Sequence, residues 1–411
     1  MVIFSAILCL FLRLEIMIEN YGTLHYTVSM KQPSPFDIPE IRIDKPIRLI
    51  ELFGGIGAQA MALRDIGANF ERYRLIEFDK YPVASYNAIH GTNFVPQDIT
   101  KITGKDLGIV DVEKFTYLLT YSFPCQDLSL AGKQKGMAKG TNTRSGLLWE
   151  VERLLNEVEN LPQVLVMENV PQVHGKKNMA DFTSWINFLS KKGYTSFWQD
   201  LNAKDFGVPQ NRKRCFMVSL LGDYGFEFPE PIELEKVMKD YLEESVDEKY
   251  YINNEKAEKL IQRLLKTDCV RQFRPVRGGN QQPMIIVAMR GRNPDNPKSR
   301  EKSNYVQVLE PNTQGTCNTL TSVQKDNLVL EEKPIISDGY RLRKLTPREC
   351  WRLMGFSDED FDKAAAVNSN TQLYKEAGNS IVKNVLMAIF RRLNIQGENP
   401  QKASVCLKSR A

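Results

Sequence analysis

Short apolar runs alternate with amphipathic segments along the first half of the chain. Between about residues 46 and 221, five apolar runs of strand length are interspersed with three segments that carry apolar residues at helical spacing. They predict strands at 48–52, 73–76, 117–121, 163–167 and 215–220, and helices at 58–66, 146–158 and 181–191. Because strands separated by helices are typical of a sheet with helices on both faces, the pattern predicts a doubly wound α/β fold.

The pattern changes after residue 221. Residues 227–258 are acidic and favour helix, and residues 266–302 carry nine Lys and Arg against three acidic residues, interrupted by Gly and Pro. Regular structure returns with a capping box that begins at Thr346, a helix end at Gly355, and a last helix at 381–393. We therefore predict a first domain at 46–221, a smaller inserted domain at 222–340, and a return to the first domain at 341–396.

Both ends of the chain differ from the rest. Residues 2–12 are almost wholly apolar, but the stretch is too short to span a bilayer and lacks the basic segment that opens a secretory signal. Met17 and Met30 lie downstream, so we expect that translation starts at one of them or that the extension 1–45 is partly disordered. Residues 397–411 are polar and predict a flexible tail. We expect no membrane association.

Composition narrows the class of protein without naming a partner. The chain is 42% hydrophobic and 26% charged, as in soluble globular proteins, and its net charge of +5 permits an anionic partner without requiring one. Its seven cysteines include no CxxC pair, and its three histidines have no metal-ligand spacing. We therefore expect neither a disulfide framework nor a metal-dependent mechanism, and we expect a reducing, cytoplasmic location.

A cysteine follows one of the predicted strands. The motif Phe123-Pro124-Cys125-Gln126 comes directly after the apolar run 117–121, and in parallel sheets functional groups gather just past the carboxyl ends of the strands. A thiol there is a candidate nucleophile for covalent chemistry. Most single cysteines are inert core residues, so this motif alone leaves both interpretations open.

A glycine-rich turn follows the first predicted strand. Its sequence is Phe53-Gly54-Gly55-Ile56-Gly57-Ala58, and such glycines let a ligand approach backbone amides. The turn is neither a Walker A loop nor a clean Gly-x-Gly-x-x-Gly, which disfavours a nicotinamide cofactor. Glu77 follows the next strand, where an acid accepts hydrogen bonds from ribose hydroxyls, and Asp98 is placed to meet an adenine amino group. Each signal alone is weak, because turn glycines and solvated acids are common, but their order favours a nucleoside cofactor.

Three further motifs complete the set. Glu168-Asn169-Val170 ends the strand 163–167, Gln210-Asn211-Arg212-Lys213-Arg214 precedes the strand 215–220, and Gly378-Asn379-Ser380 opens the last helix. Together with the glycine turn, the Cys125 motif and the segment from Arg348 to Phe356, they make the chain resemble the DNA (cytosine-5) methyltransferases. The match is colinear from about residue 48 to residue 392, and its weak middle part falls where that family varies.

The resemblance implies a fold and a reaction. It implies a Rossmann-like fold that binds S-adenosylmethionine, with the first domain catalytic and the inserted domain a DNA-recognition domain. The reaction would be methyl transfer to carbon 5 of a flipped-out cytosine in a specific short duplex sequence, for DNA modification or protection from restriction. Cys125 would add to carbon 6, Glu168 would protonate ring nitrogen 3, and Arg212 and Arg214 would steady the base oxygen and the cysteine loop.

The resemblance also implies binding residues and partners. The cofactor would contact Phe53, Gly54, Gly55, Gly57, Glu77, Asp98, Pro124, Asn379 and Ser380. The loop 129–136 would close over the DNA, with an ordinary surface loop as the alternative, and DNA contacts would come from Lys133, Lys135, Arg290, Arg292, Thr319 and Leu320. We expect a monomer that acts on double-stranded DNA, with a cognate restriction endonuclease as an optional, separate partner.

Three alternative functions compete with this interpretation. A transfer-RNA cytosine-5 methyltransferase shares most of the motifs, but the long inserted domain favours a DNA substrate. A catalytically silent DNA-binding protein would have no need of an intact Cys125, Glu168 and glycine turn. A nicotinamide dehydrogenase would leave the thiol without a role.

Overall fold

The computed structural model describes residues 39–129, 135–141, 143–252, 255–266, 284–293, 306–312, 314–321, 327–332 and 340–395. The two candidate start methionines, Lys133 and the tail 397–411 lie outside these residues, as does most of the basic stretch 266–302. Within the described ranges, no helix has the length and apolar character needed to cross a membrane.

A six-stranded sheet forms the centre of the molecule. Its first four strands are parallel in the order β2-β1-β3-β4: β1 (Ile47–Leu52), β2 (Phe70–Ile76), β3 (Thr116–Tyr121) and β4 (Val164–Asn169). Beyond β4 the sheet continues with β7 (Lys213–Leu221) and then β5 (Tyr194–Asn202), each antiparallel to its neighbour. The predicted α/β fold is confirmed, with an antiparallel pair at one edge of the sheet.

The register of the parallel strands aligns their carboxyl ends. Leu52 lies beside Ile76 on one side and beside Tyr121 on the other, and Tyr121 lies beside Met167. The segments that follow these four residues therefore leave the sheet along one rim. The glycine turn and the motifs that carry Cys125 and Glu168 emerge at this rim.

Helices cover both faces of the sheet. Those in the first part of the chain are α1 (Ala58–Asp65), α2 (Lys80–His90), α3 (Leu148–Glu157) and α4 (Met179–Lys191). Successive strand residues face opposite cores: Leu118 and Val166 pack in the core that contains α1, and Leu119 and Leu165 pack in the core that contains α3 and α4. The three helices predicted for this part of the chain are confirmed, with ends that differ by a few residues. Helix α2 was not predicted.

A second sheet lies in the inserted part of the chain. It is antiparallel in the order β12-β11-β8-β9, with β8 (Met284–Arg292), β9 (Val306–Pro311), β11 (Leu328–Glu332) and β12 (Tyr340–Lys344). Helix α5 (Glu255–Leu265) packs Leu260 and Leu264 against Val287 and Leu309 of this sheet. The two short strands β6 (Gln210–Asn211) and β10 (Cys317–Asn318) pair in parallel beside it.

The helix expected across residues 227–258 is wrong for most of that length. Between residues 227 and 252, all of which the structure describes, the helical elements are two short 3-10 turns, Met238–Tyr241 and Glu248–Tyr250, and α5 begins at Glu255. Pro229 and Pro231 lack the N–H that a helix needs, and the many acidic side chains around them repel one another at helical spacing. Helical composition was therefore a poor guide in this segment.

After β12, residues 345–395 return the chain to the core beside the first sheet. Their helices are α6 (Pro347–Arg352), α7 (Asp358–Ala365), α8 (Asn370–Asn379) and α9 (Lys383–Arg392). The predicted capping box is confirmed, because Thr346 Oγ1 accepts from the N–H of Glu349 at 3.1 Å and the Glu349 carboxylate accepts from the N–H of Thr346 at 2.8 Å. Gly355 follows at a φ of 81°, where a Cβ would lie 2.3 Å from Asn384 Oδ1. Only glycine fits this helix end.

A buried ion pair joins the second sheet to α6. The side chains of Arg343 on β12 and Glu349 on α6 are both 0% exposed, and the guanidinium donates to the two carboxylate oxygens at 2.8 and 3.0 Å. Glu331 on β11 supplies a second carboxylate to Arg343, and Glu349 also accepts from the backbone N–H of Glu243 at 2.9 Å. These contacts fix the second sheet relative to the returning chain.

We expect Arg343→Met to lower the free energy of unfolding by about 3–5 kcal/mol, because it leaves a buried carboxylate without its cation. The measurement is chemical denaturation of the variant and of a matched control, Lys363→Ala. Lys363 pairs with Glu359 on the surface, with side chains 41% and 78% exposed, so its loss should cost less than about 0.5 kcal/mol. Equal effects of the two substitutions would contradict the assignment.

Candidate active site

A cavity of about 610 Å³ opens at the carboxyl rim of the parallel strands. It brings together most of the site residues predicted from the sequence. Its lining includes Phe53, Gly54, Gly55, Glu77, Asp98, Pro124, Cys125, Glu168, Arg212, Arg214, Asn379 and Ser380. All four predicted catalytic residues and all but one of the predicted cofactor residues therefore face one space.

The glycine turn forms one wall of this cavity. Phe53 and Gly55 both adopt left-handed backbone conformations, with φ of 57° and 56°, and a Cβ on Gly55 would meet no atom within 4 Å. The space beside Gly55 is therefore open to a ligand. Gly57 lies behind the wall instead, because a Cβ there would lie 2.4 Å from His90 Nε2 and 2.5 Å from the Tyr86 ring. Its role in this structure is close packing.

Two acids stand beside the turn. Glu77 accepts from the backbone N–H of Gly55 at 3.1 Å and from that of Asp79 at 2.9 Å, which fixes its carboxylate at the cavity wall. Burial raises the pKa of Glu77, while these N–H donors oppose the rise. Asp98 accepts from the N–H and the hydroxyl of Thr100 at 3.0 and 2.8 Å, and these bonds lower its pKa.

The loop that carries Cys125 is held by its carbonyl oxygens. The side-chain amide of Asn169 donates to the Phe123 carbonyl at 2.9 Å, and the Ser145 hydroxyl donates to the Pro124 carbonyl at 2.6 Å. The carbonyl of Cys125 itself accepts from the N–H groups of Leu128 and Ser129 at 3.0 and 2.8 Å. These bonds fix the loop backbone, and Cys125, half-buried and outside any disulfide, lines the cavity wall.

Glu168 and Arg214 form an ion pair beside the thiol. Arg214 Nε lies 3.1 Å from Glu168 Oε1, and the two side chains are 15% and 11% exposed. Burial raises the pKa of Glu168, and Arg214 opposes that rise. Burial and the charge of Glu168 also raise the pKa of the Cys125 thiol, whereas the guanidinium groups of Arg214 and Arg212 lower it. The thiol and the carboxyl therefore act on each other's proton affinity.

Arg212 is buried and bonds to the backbone of two other segments. Its guanidinium donates to the carbonyl of Leu320 at 2.8 Å and to the carbonyls of Gly378 and Ser380 at 3.1 and 2.7 Å. Its Nε is buried without a hydrogen-bond partner. Arg212 thus ties the inserted part of the chain to the end of α8, and its charge reaches Cys125 and Glu168.

None of the predicted DNA-binding residues that the structure describes lines this cavity. Lys135 is exposed, and Arg292 on β8 pairs with Glu310 on β9, while Lys133 lies outside the described residues. The Thr319 hydroxyl donates to the Asn211 carbonyl at 2.7 Å. The others are Arg290, half-buried on β8, and Leu320, 5% exposed and bonded through its N–H to Gln210.

Several lining and supporting residues escaped the sequence interpretation. Phe78 lines the cavity beside Glu77 and is 75% exposed, an unusual position for a large aromatic side chain. An aromatic residue directly after the predicted ribose-binding acid was a signal for it. Asn169 belongs to the motif Glu168-Asn169-Val170, but no role was predicted for its side chain. Ser145 lies in the segment 144–149, which the family resemblance places beside the cofactor, but its bond to the Pro124 carbonyl was not predicted.

The sequence matches one protein family over most of its length. A sequence model of the C-5 cytosine-specific DNA methylases matches residues 47–394. The chain belongs to this family. The type II methyltransferase M2.ScrFI of Lactococcus lactis subsp. cremoris is 31% identical over 84% of this chain and 99% of that protein. The type II methyltransferase M.NlaX of Neisseria lactamica is 32% identical over 84% of this chain and 96% of that protein.

A solved structure supports the fold. The S. pombe Dnmt2 methyltransferase has a TM-score of 0.57 against this chain, at 23% identity and over 84% of this chain and 98% of its own. As a member of its family, the enzyme transfers a methyl group from S-adenosylmethionine to carbon 5 of cytosine in duplex DNA. The transfer-RNA alternative is less well supported, because the matching family is one of DNA methylases.

The DNA methylase cavity suits its methyl donor. The open space beside Gly55 admits a ligand close to the backbone, and the fixed carboxylate of Glu77 offers acceptors to two adjacent hydroxyls. The exposed ring of Phe78 offers a stacking surface for a purine at the same wall. These groups fit the nucleoside part of S-adenosylmethionine.

Two charge-removing substitutions should move the reactivity of Cys125 in opposite directions. Arg214→Gln removes a cation that lowers the thiol pKa, so less thiolate forms and alkylation by iodoacetamide should slow at any pH below that pKa. Glu168→Gln removes an anion that raises this pKa, so alkylation should quicken. Mass spectrometry of the Cys125 peptide across a pH series measures both rates.

The matched control for the alkylation series is Arg42→Gln, because Arg42 is 65% exposed in a surface pair with Asp44. It should leave the rate at Cys125 unchanged. A shift of both active-site variants in the same direction would show that structural disturbance, and not charge, controls the thiol.

Proposed function

We propose that Cys125 is the nucleophile of this DNA methylase and that Glu168, Arg212 and Arg214 complete the catalytic group. The observation that carries the proposal is the shared cavity: the thiol, the carboxyl and both guanidinium groups line one space with the glycine turn and Glu77. A target base in that space would have the nucleophile on one side and the methyl donor near the other. The reaction needs both at once.

Cys125 would begin the reaction as a thiolate. Carbon 5 of cytosine is a poor nucleophile, so addition of sulfur to carbon 6 is needed to make carbon 5 electron-rich. Carbon 5 would then take the methyl group and lose its proton to water. The electrons of that carbon–hydrogen bond would restore the ring double bond as the carbon–sulfur bond breaks to return the thiolate, and ring nitrogen 3 would return its proton to Glu168. The loop carbonyls held by Asn169 and Ser145 keep the sulfur in place through both events.

Glu168 would supply the proton that makes the addition favourable. Its raised pKa increases the protonated fraction, and a proton given to ring nitrogen 3 offsets the charge that sulfur brings to the ring. Arg214 holds the carboxyl in position through Nε and carries further N–H donors for the base oxygen. Arg212 would act indirectly, by fixing the backbone of Ser380 and Leu320.

The cofactor would lie along the wall formed by the glycine turn. S-adenosylmethionine, when bound, supplies an electrophilic methyl group on a sulfonium. Glu77 would accept from its ribose hydroxyls and Phe78 would stack on its base, with Asp98 near the adenine amino group. Phe53, Gly54, Gly55, Pro124, Asn379 and Ser380 would complete the contact surface, and Gly57 would support the turn by packing.

The inserted sheet and α5 would form the domain that recognises a short DNA sequence. This domain would begin after about residue 221 and end at about residue 340. Lys135 and the segment 129–136 would follow the cysteine loop onto the DNA backbone, and Arg290 and Arg292 would face it from β8. Thr319 and Leu320 are held against β6, so they would place this domain near the cavity. A flipped cytosine could then reach Cys125.

The enzyme would act as a monomer in the cytoplasm, where its DNA substrate lies. It would modify DNA independently of any cognate endonuclease. Its relatives include both type II methyltransferases and proteins named orphan methyltransferases, such as M.SssI of Spiroplasma monobiae at 30% identity.

Duplex DNA that carries 5-fluorocytosine at the target should trap the enzyme as a stable adduct through Cys125, because fluorine on carbon 5 cannot leave as a proton does. Denaturing electrophoresis with peptide mass spectrometry detects the bond. Cys125→Ser should form no adduct and transfer no methyl, while it still binds DNA. Glu168→Gln should slow methyl transfer by about 10²–10⁴-fold, the usual contribution of a general acid. Methyl transfer retained in Cys125→Ser would refute covalent catalysis.

Glu77→Ala should raise the dissociation constant for S-adenosylmethionine at least about tenfold, since hydrogen bonds to a charged group are worth roughly 1.5–3 kcal/mol. Titration calorimetry on the full chain measures it. Glu113→Ala is the control, because Glu113 is 67% exposed and lies before β3, at the opposite end of the sheet. An unchanged constant in Glu77→Ala would remove this carboxylate from the cofactor site.

A further inference from the structure

Three side chains of types that bind metal ions lie close together where β5, β7 and the turn after β4 meet. His174, Asp200 and Cys215 come from three elements, and one ligand atom of each lies within 4.8 Å of the other two. Asp200 and Cys215 are direct cross-strand partners on β5 and β7, and Cys215 also lies opposite Asn169 at the end of β4. His174 ends the short 3-10 turn Pro171–His174 that follows β4.

We propose that His174, Asp200 and Cys215 bind a single Zn²⁺ ion outside the catalytic cavity. Imidazole nitrogen, carboxylate oxygen and thiolate sulfur are the three ligand types that zinc takes in proteins. With metal–ligand bonds of about 2.0–2.3 Å, tetrahedral ligands lie about 3.3–3.8 Å apart. Atoms that lie up to 4.8 Å apart would close by at most about 1.5 Å to reach that spacing, and His174 Nε2 and Asp200 Oδ1, 2.9 Å apart, would separate by about 0.4 Å.

The imidazole is already oriented for this role. His174 Nε2 lies 2.9 Å from Asp200 Oδ1, so an ion would take the place of the proton that these two atoms share. The ring is held against Trp198 at a centroid distance of 4.7 Å and against Phe182 at 6.1 Å, which restricts its rotation. The second oxygen of Asp200 lies 3.3 Å from Lys213 Nζ, which gives the carboxylate a supporting partner of the kind that metal ligands have.

Charge and access also favour one divalent ion. Binding sends the proton of the Cys215 thiol to solvent, and the resulting thiolate and the Asp200 carboxylate neutralise the ion's charge. The side chains of His174 and Asp200 are 21% and 17% exposed, so the ion has a path from solvent and a water can complete its coordination.

The proposed ion belongs to the structure and not to methyl transfer. Cys215 packs in the core that contains α3 and α4, whereas its neighbour Phe216 packs in the opposite core. Glu168, near the end of β4, faces the cavity on the face of the sheet opposite to Cys215. An ion here would tie the turn after Glu168 to β5 and β7, and so stiffen the backbone that carries the catalytic carboxyl.

Co²⁺ is the probe, because cobalt bound by a thiolate gives a charge-transfer absorption that aquated Co²⁺ lacks. We expect the untagged full chain to bind one equivalent with this absorption and Zn²⁺ to displace it. Zn²⁺ should also raise the Tm. Cys215→Ser should abolish the absorption. His174→Gln should weaken binding at least as much as the roughly 10–100-fold that loss of a supporting partner costs.

Cys125→Ser is the matched control for the cobalt titration, since it removes the thiol in the catalytic cavity and should leave the absorption intact. Circular dichroism of each metal-free variant checks that it folds, and if Cys215→Ser does not fold, His174→Gln decides. The proposal is overturned by a wild-type chain without the absorption, by an absorption that survives Cys215→Ser or full-strength binding by His174→Gln, or by its loss in Cys125→Ser.

Discussion

The alignment of four parallel strand ends is the constraint on which the site depends. Because side chains alternate between the two faces of a strand, a slip of one residue would exchange Glu168 with Met167 or Asn169 and turn the carboxyl into the opposite core. The two cores prevent such a slip, since Val166 belongs to one and Leu165 to the other. Hydrophobic packing throughout the sheet therefore sets which polar side chains reach the cavity.

Burial in this cavity disfavours the charged forms of two groups, the Cys125 thiolate and the Glu168 carboxylate. It raises the pKa of the Cys125 thiol and that of the Glu168 carboxyl, so it favours the acid and disfavours the thiolate. The two groups are coupled, because the negative charge of Glu168 is itself a cause of the raised thiol pKa. Protonation of the carboxyl therefore makes the thiolate easier to form. A neutral acid beside a thiolate is the combination that addition to cytosine requires, and Arg214 beside both groups stabilises the sulfur charge.

The sequence predicted the parts of the fold that depend on local pattern. Strands β1, β3, β4 and β7 are buried apolar runs and were recognised as such, whereas β5 is an edge strand with exposed polar residues and was not. Position after a strand placed Glu77, Cys125 and Glu168 at one rim. The grouping of His174, Asp200 and Cys215 could not be read from their spacing in the sequence, because three elements bring them together and only the sheet register shows it. The contacts of Arg212 depend in the same way on tertiary structure.

The segment from Gln210 to Arg214 joins several parts of the molecule through its side chains. Burial alternates along this segment, since Gln210 and Arg212 are buried and Arg214 is half-buried, whereas Asn211 and Lys213 are exposed. Gln210 bonds to the backbone of Leu320 and Leu353, Arg212 to that of Leu320 and Ser380, and Arg214 to Glu168. One short segment thus contacts the inserted part of the chain, the segments around Leu353 and Ser380, and Glu168. Displacement of the inserted part at Leu320 would strain bonds on the same guanidinium that holds Gly378 and Ser380, so this part of the chain is physically linked to the cavity wall.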